Sequence, residues 1–140
     1  MESNLQSDIV LGFSDDGKGV QSDAMMASAM KQASELDSVI VAHCEDESEL
    51  HGGCVHDGKY EKQHNLIGIN SDSEFKQVAR DLELVRQYHN RYHVCHISTK
   101  ETVKLLRQAS QEDLCVSGEV SPHHLILTED NIQDCHPNYK

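Results

Sequence analysis

Carboxylates and imidazoles recur in this chain just downstream of, or within, short apolar runs. Asp15 and Asp16 follow residues 9–13 (IVLGF), and His43, Glu45 and Asp46 follow residues 38–42 (SVIVA). His93 and His96 lie on residues 92–97 (YHVCHI), and Glu119, His123 and His124 come at the end of residues 114–120 (LCVSGEV) and just beyond. Imidazole and carboxylate are the ligand types of zinc and related divalent ions. The carboxyl ends of parallel strands face one side of an α/β protein, so residues placed there converge. Four successive strands with this feature predict one shared metal or catalytic site. Taken singly, each signal has an ordinary meaning. Asp-Asp-Gly is a turn sequence, and a lone histidine after a strand is more often a hydrogen-bonded structural group. Cys44, His51, Cys54 and His56 lack the paired Cys-x2–4-Cys spacing and are not read as a zinc site. Cys95, inside an apolar run, reads as a buried core thiol.

Residues 20–37 carry Val20, Ala24, Ala27, Met30 and Leu36 at mostly helical spacing. Residues 72–90 do the same with Phe75, Val78, Ala79, Leu82 and Val85. Ser98 or Thr99 is placed to cap a third helix that continues to about Ala109 through Val103, Leu105 and Leu106. A glycine- and histidine-rich loop is expected at about residues 50–70, and Pro122 should break the chain into a loop holding His123 and His124. Strand–helix alternation without polar alternation inside the strands predicts a parallel sheet covered on both faces. A doubly wound sheet and part of a (β/α)8 barrel both satisfy that pattern.

The 140 residues fit a single domain and carry a formal net charge of −12. That charge argues against nucleic acid and anionic membrane surfaces as partners, since both repel an acidic surface. No apolar run approaches the length that spans a bilayer. The opening MESNLQSDIV has neither the basic region nor the apolar core of a signal peptide, and the five cysteines form no CxxC pair. A reducing, cytoplasmic setting is the expectation.

Read together, FSDDGKGVQ, AMKQA, VAHCED, GGCVHDG, GIN-SDSE, VARDLELV, RYHVCHISTKETVKLLRQA and EVSPHHLILTEDNI resemble the dihydroorotases of the amidohydrolase superfamily. The match runs from Phe13 to Ile132, and HCED, HVCHIST and EVSPHHL in that order form a specific signature. It is the bacterial form, with FSDDG in place of the carboxylated lysine of related amidohydrolases, so hydantoinase-like relatives fit less well. The resemblance implies an α/β fold, a partial (β/α)8 TIM barrel of parallel strands alternating with helices. It implies barrel strands four to seven in one partial domain over residues 1–140. It also implies one or two zinc ions in the complete enzyme, with Asp16, His43 and His96 matching metal ligands. Strand geometry alone leaves Asp15 and Asp16 as alternatives, since neighbours in a strand point to opposite faces.

The resemblance further implies interconversion of N-carbamoyl-L-aspartate and L-dihydroorotate in pyrimidine biosynthesis. The partners it brings are that small-molecule substrate and, for the oligomer, a second copy or aspartate transcarbamoylase. The family's His-x-His pair, the arginine that grips the substrate carboxylate and the general-base aspartate have no counterpart here. A barrel needs about 250 residues. The chain is therefore expected to be a fragment, inactive alone, or else a non-catalytic remnant or partner-binding subunit. Taken alone it is expected to be partly disordered, oligomeric or insoluble. Its exposed surfaces would be the edge strands 9–13 and 114–120 and the inner faces carrying Val39, Val41 and Val94 or their alternate neighbours.

Overall fold

A computed structural model describes residues 10–132; Ile9, assigned above to the first strand, lies outside them. Four strands form one parallel sheet: β1 (Gly12–Ser14), β2 (Val39–Ala42), β5 (Arg91–Val94) and β6 (Val116–Gly118), adjacent in that order. β1 and β6 are the outer strands of this sheet. The register aligns Phe13, Ile40, Tyr92 and Val116 across the sheet, and beside them Ser14, Val41, His93 and Ser117. Successive side chains on a strand point to opposite faces, so these two rows belong to the two faces.

Helices cover only the first of these faces. Three of them connect the strands: α1 (Asp23–Glu35), α3 (Asp72–Tyr88) and α4 (Lys100–Gln111). Ile40, Ala42, Tyr92 and Val94 are buried against Met26, Met30 and Ala33 of α1 and Val78, Leu82 and Val85 of α3. The other face keeps Val39, Val41 and His93 only half-buried. The two-sided cover expected from the strand sequences is thus absent among the described residues. Val39 and Val41 lie on the open face, whereas Val94 is fully buried on the helix side.

Two of the three connecting helices, α1 and α4, start on a side-chain cap. Ser22 accepts from the Met25 N–H, and Thr99 accepts from the Thr102 N–H at 3.3 Å. The buried stripe of α1 is Met26, Met30 and Ala33 rather than the Ala24 and Ala27 of the sequence reading; Ala24 is exposed. The large methionines reach the core where alanine would leave space, so the helix rotates to bury them.

The stretch expected as a loop at 50–70 contains a two-stranded parallel sheet, β3 (Val55–His56) with β4 (Gly68–Ile69), and α2 (Lys59–His64) between them. Pro122 begins a short helix, α5 (Pro122–Ile126), instead of a loop, because proline suits the first helical turn where its missing N–H is not needed. Among the described residues no helix is long and apolar enough to cross a membrane.

Candidate metal centre

Asp16, His43 and His96 each offer a ligand atom, and these atoms lie within 4.8 Å of one another. Each residue sits past the carboxyl end of its strand: Asp16 beyond β1, His43 directly after β2, His96 two residues beyond β5. The His43 Nδ1 and His96 Nε2 are 3.1 Å apart, with the rings edge to face. Two nitrogens on one tetrahedral zinc, at bonds of 2.0–2.1 Å, would be separated by about 3.4 Å. The donor set and its spacing therefore fit a zinc-type ion. His43 Nε2 faces a Glu45 carboxylate oxygen at 3.7 Å.

The structure separates the two aspartates that strand geometry left open. Both carboxylate oxygens of Asp15 are engaged by backbone: one accepts from the Val20 N–H at 2.9 Å, the other from the His43 N–H at 2.8 Å. Asp15 thereby ties the turn after β1 to the residue that leaves β2. Asp16 is exposed and belongs to the cluster. The turn is close-fitting on this side. A Cβ on Gly19 would collide with the His43 carbonyl oxygen, so only glycine lets the chain pass there.

His96 departs from the strand expected over 92–97. The strand ends at Val94, and His96 has φ +34°. In an unbroken strand, residues 93 and 96 would face opposite sides of the sheet. The positive φ breaks that alternation and brings the His96 ring onto the side of His43. Non-glycine residues adopt such backbone rarely and at a cost, so something must hold it. Glu74 of α3 does so two residues later. Its carboxylate accepts from the Ser98 N–H (2.9 Å) and hydroxyl (2.6 Å), and from the Thr99 N–H (3.2 Å) and hydroxyl (2.7 Å). Hydrogen bonds to a charged group contribute more than neutral ones, so Glu74→Ala should lower stability by about 1–3 kcal/mol. It should also weaken zinc binding roughly 10–100-fold through the misplaced His96. Urea denaturation and zinc titration of the same variant measure both effects.

Behind His43 runs a buried polar chain. Cys44 Sγ lies 3.3 Å from the Tyr92 hydroxyl, which donates to Asp81 at 2.7 Å; Arg80 Nε donates to the same carboxylate at 2.8 Å. Burial pushes the Cys44 thiol and the Tyr92 phenol well up. Burial also raises the Asp81 carboxyl, with Arg80 and Tyr92 drawing it back.

A second group, His93, Cys95 and Glu119, also has ligand atoms within 4.8 Å of one another. Cys95 is half-buried, not the core thiol expected, because it lies past the end of β5 at the open face. His123 and His124 meet edge to face on α5 and join neither group. Burial and then the neighbouring His123 hold the His124 imidazole below its ordinary range. Cys44, His51, Cys54 and His56 form no such cluster among the described residues.

A family model described as dihydro-orotase-like matches residues 3–102. Dihydroorotases of Bacillus cereus and Bacillus pumilus are 48% and 50% identical to the chain over 128 residues, which is 91% of this chain and 30% of each relative. The chain thus spans about 30% of the length of these curated relatives. Among solved structures, an L-hydantoinase (dihydropyrimidinase) from Arthrobacter aurescens superposes with a TM-score of 0.66 at 25% identity, over 86% of this chain and 28% of that one. A D-hydantoinase from Bacillus sp. AR9 also gives 0.66, at 16% identity, over 91% of this chain and 28% of its own. These likenesses identify the four strands and their helices as part of a (β/α)8 barrel. In sequence the dihydroorotases stand nearer than these hydantoinases, in line with the FSDDG reading. With a family model over most of its length, the chain belongs to the dihydro-orotase-like family of amidohydrolases.

Proposed function

We propose that this chain supplies one side of the metal centre of a zinc-dependent dihydroorotase, which interconverts N-carbamoyl-L-aspartate and L-dihydroorotate in pyrimidine biosynthesis, in the cytoplasm. The observation that carries the proposal is the convergence of Asp16, His43 and His96 within 4.8 Å at one end of the sheet, on residues that match the family motifs. Two imidazoles and one carboxylate would hold the ion and leave at least one position open, as a catalytic rather than a structural site requires. When bound, zinc supplies a polarising charge toward the cyclic amide carbonyl and toward attacking water.

The chain's own residues do the positioning. Asp15 fixes the backbone at His43, and Glu74 fixes the loop beyond His96, so the ligands are set before an ion arrives. No group in the described residues is assigned as general base or as anchor for the substrate carboxylate. Those roles are proposed for other strands of the barrel, and the chain alone is expected to be inactive. A chimera in which residues 13–132 replace the matching stretch of the Bacillus pumilus dihydroorotase tests this reading. It should hydrolyse dihydroorotate, and Asp16→Ala in the chimera should abolish that hydrolysis. A folded, zinc-loaded chimera without activity would sink the functional reading. Activity indifferent to Asp16→Ala would sink the ligand assignment.

A further inference from the structure

The geometry points to a second divalent-cation site in this chain, formed by His93, Cys95 and Glu119 on the open side of the sheet. It is independent of the dihydroorotase reading and shares no ligand with Asp16, His43 and His96.

His93 lies on β5, and Cys95 and Glu119 lie just past the ends of β5 and β6, where the backbones are still fixed. The Cys95 N–H donates to the Ala42 carbonyl at 3.0 Å. The Glu119 N–H donates to the Val94 carbonyl at 2.9 Å, and the Glu119 carbonyl accepts from the Ile97 N–H at 2.8 Å. His93 sits on β5 in register with Ser117 of β6, whose hydroxyl lies 2.8 Å from His93 Nδ1. That contact occupies one ring nitrogen and orients the other, the outer-sphere arrangement that accompanies metal-binding histidines. His93 Nε2 then faces a Glu119 carboxylate oxygen at 3.5 Å. Two light-atom ligands on one zinc would lie about 3.4 Å apart, so this pair needs almost no movement. Cys95 completes a set within 4.8 Å, and closing it onto a common ion takes side-chain rotation of roughly 1 Å.

Charge and softness choose the ligand. The Glu119 carboxylate, 3.5 Å from His93 Nε2, brings negative charge to the cluster, so a cation is favoured at this spot. A thiolate with an imidazole and a carboxylate selects a zinc-type ion over magnesium or calcium, which take oxygen ligands. Cys95 would bind as the thiolate, its proton passing to solvent, and a fourth position would stay with water.

Cobalt(II) is the probe, because a thiolate ligand gives a charge-transfer band in the near ultraviolet that imidazole and carboxylate do not. Titrating the 140-residue chain with cobalt(II) should produce this band. Cys95→Ser should remove it, while Cys54→Ser and His43→Ala keep it. His93→Ala and Glu119→Ala should weaken cobalt binding at the band roughly 10–100-fold. Cobalt binding without the band, or a band that survives Cys95→Ser, would overturn the site. A measurement on the unmodified chain guards against misfolded variants. Zinc should slow alkylation of Cys95 selectively, read peptide by peptide by mass spectrometry, and leave Cys54 and Cys115 unaffected. Equal labelling of Cys95 with and without zinc would also overturn it. Loss of the thiolate band with Asp16-dependent zinc binding intact would refute this site alone, and the reverse pattern would refute only the dihydroorotase ligand set.

Discussion

Asp81→Ala should lower the stability of this chain by about 3–5 kcal/mol, the cost of breaking a buried ion pair from one side. Asp81 is fully buried and receives hydrogen bonds from both Arg80 and Tyr92. Alanine leaves the Tyr92 hydroxyl with only the Cys44 thiol, and leaves the partly buried Arg80 guanidinium with only the exposed Asp23 carboxylate at 3.5 Å. A single domain is stable by about 5–15 kcal/mol, so the loss is a large share of the whole. Tyr92→Phe should cost less, about 1–2 kcal/mol, because Arg80 still satisfies the carboxylate. The urea midpoint should move with little change in slope.

The same residue gives a signed pH effect. Burial raises the native Asp81 carboxyl above its ordinary value, so the folded chain keeps this proton to higher pH than the unfolded chain does. The contribution of Asp81 is therefore most favourable at acid pH. It falls as pH rises from about 4 through the raised native value. Asp81→Asn should remove that component of the pH dependence. If the urea midpoints of the parent chain and Asp81→Asn keep a constant offset across that range, the raised carboxyl is excluded.

The second large effect concerns the proposed metal ligands. A four-ligand structural zinc site yields about 10–16 kcal/mol of binding free energy, or roughly 3 kcal/mol per ligand. His96→Ala or Asp16→Ala should then lower zinc affinity by about 100-fold or more. Asp16 is exposed, so its loss should leave the urea midpoint nearly unchanged. Asp15→Ala should show a different profile. It removes the acceptor for the Val20 and His43 N–H groups and so should cost about 1–3 kcal/mol of stability. Its effect on zinc comes only through the displaced His43. Calorimetric zinc titration beside urea denaturation separates the two residues. A larger loss of affinity in Asp15→Ala than in Asp16→Ala would reverse their roles.

The apolar runs located all four strands of the main sheet, because a buried parallel strand is a short apolar run bounded by turn residues. At the site end β5 and β6 stop short of their runs, at Val94 and Gly118, whereas β1 and β2 continue to Ser14 and Ala42. At His96 the stop is a positive φ, which no apolar pattern announces. The choice between Asp15 and Asp16 was equally hidden, because it rests on which carboxylate meets the backbone of residues 20 and 43. Strands β3 and β4 have two residues each and carry no periodicity at all. Cys95 is not a core thiol because the strand ends one residue before it, although the apolar pattern continues to Ile97. Its closeness to His93 and Glu119 depends on the register of β5 against β6, which the sequence does not state.

The contacts that set the ligands have a consequence for how the site comes into being. Asp15 reaches His43 across 28 residues, and Glu74 reaches Ser98 and Thr99 across 24 and 25. Each span is about one strand–helix repeat. Loop-closure entropy grows only slowly with length, and each closure here is short. The sheet neighbours β1 and β2, like β5 and β6, are likewise separated by single crossovers. The geometry of His43 can thus be fixed when the first repeat docks, and that of His96 when α3 has packed and α4 begins. Each ligand is positioned in its own repeat along the chain, and the centre is complete only when His96 closes onto His43 across 53 residues.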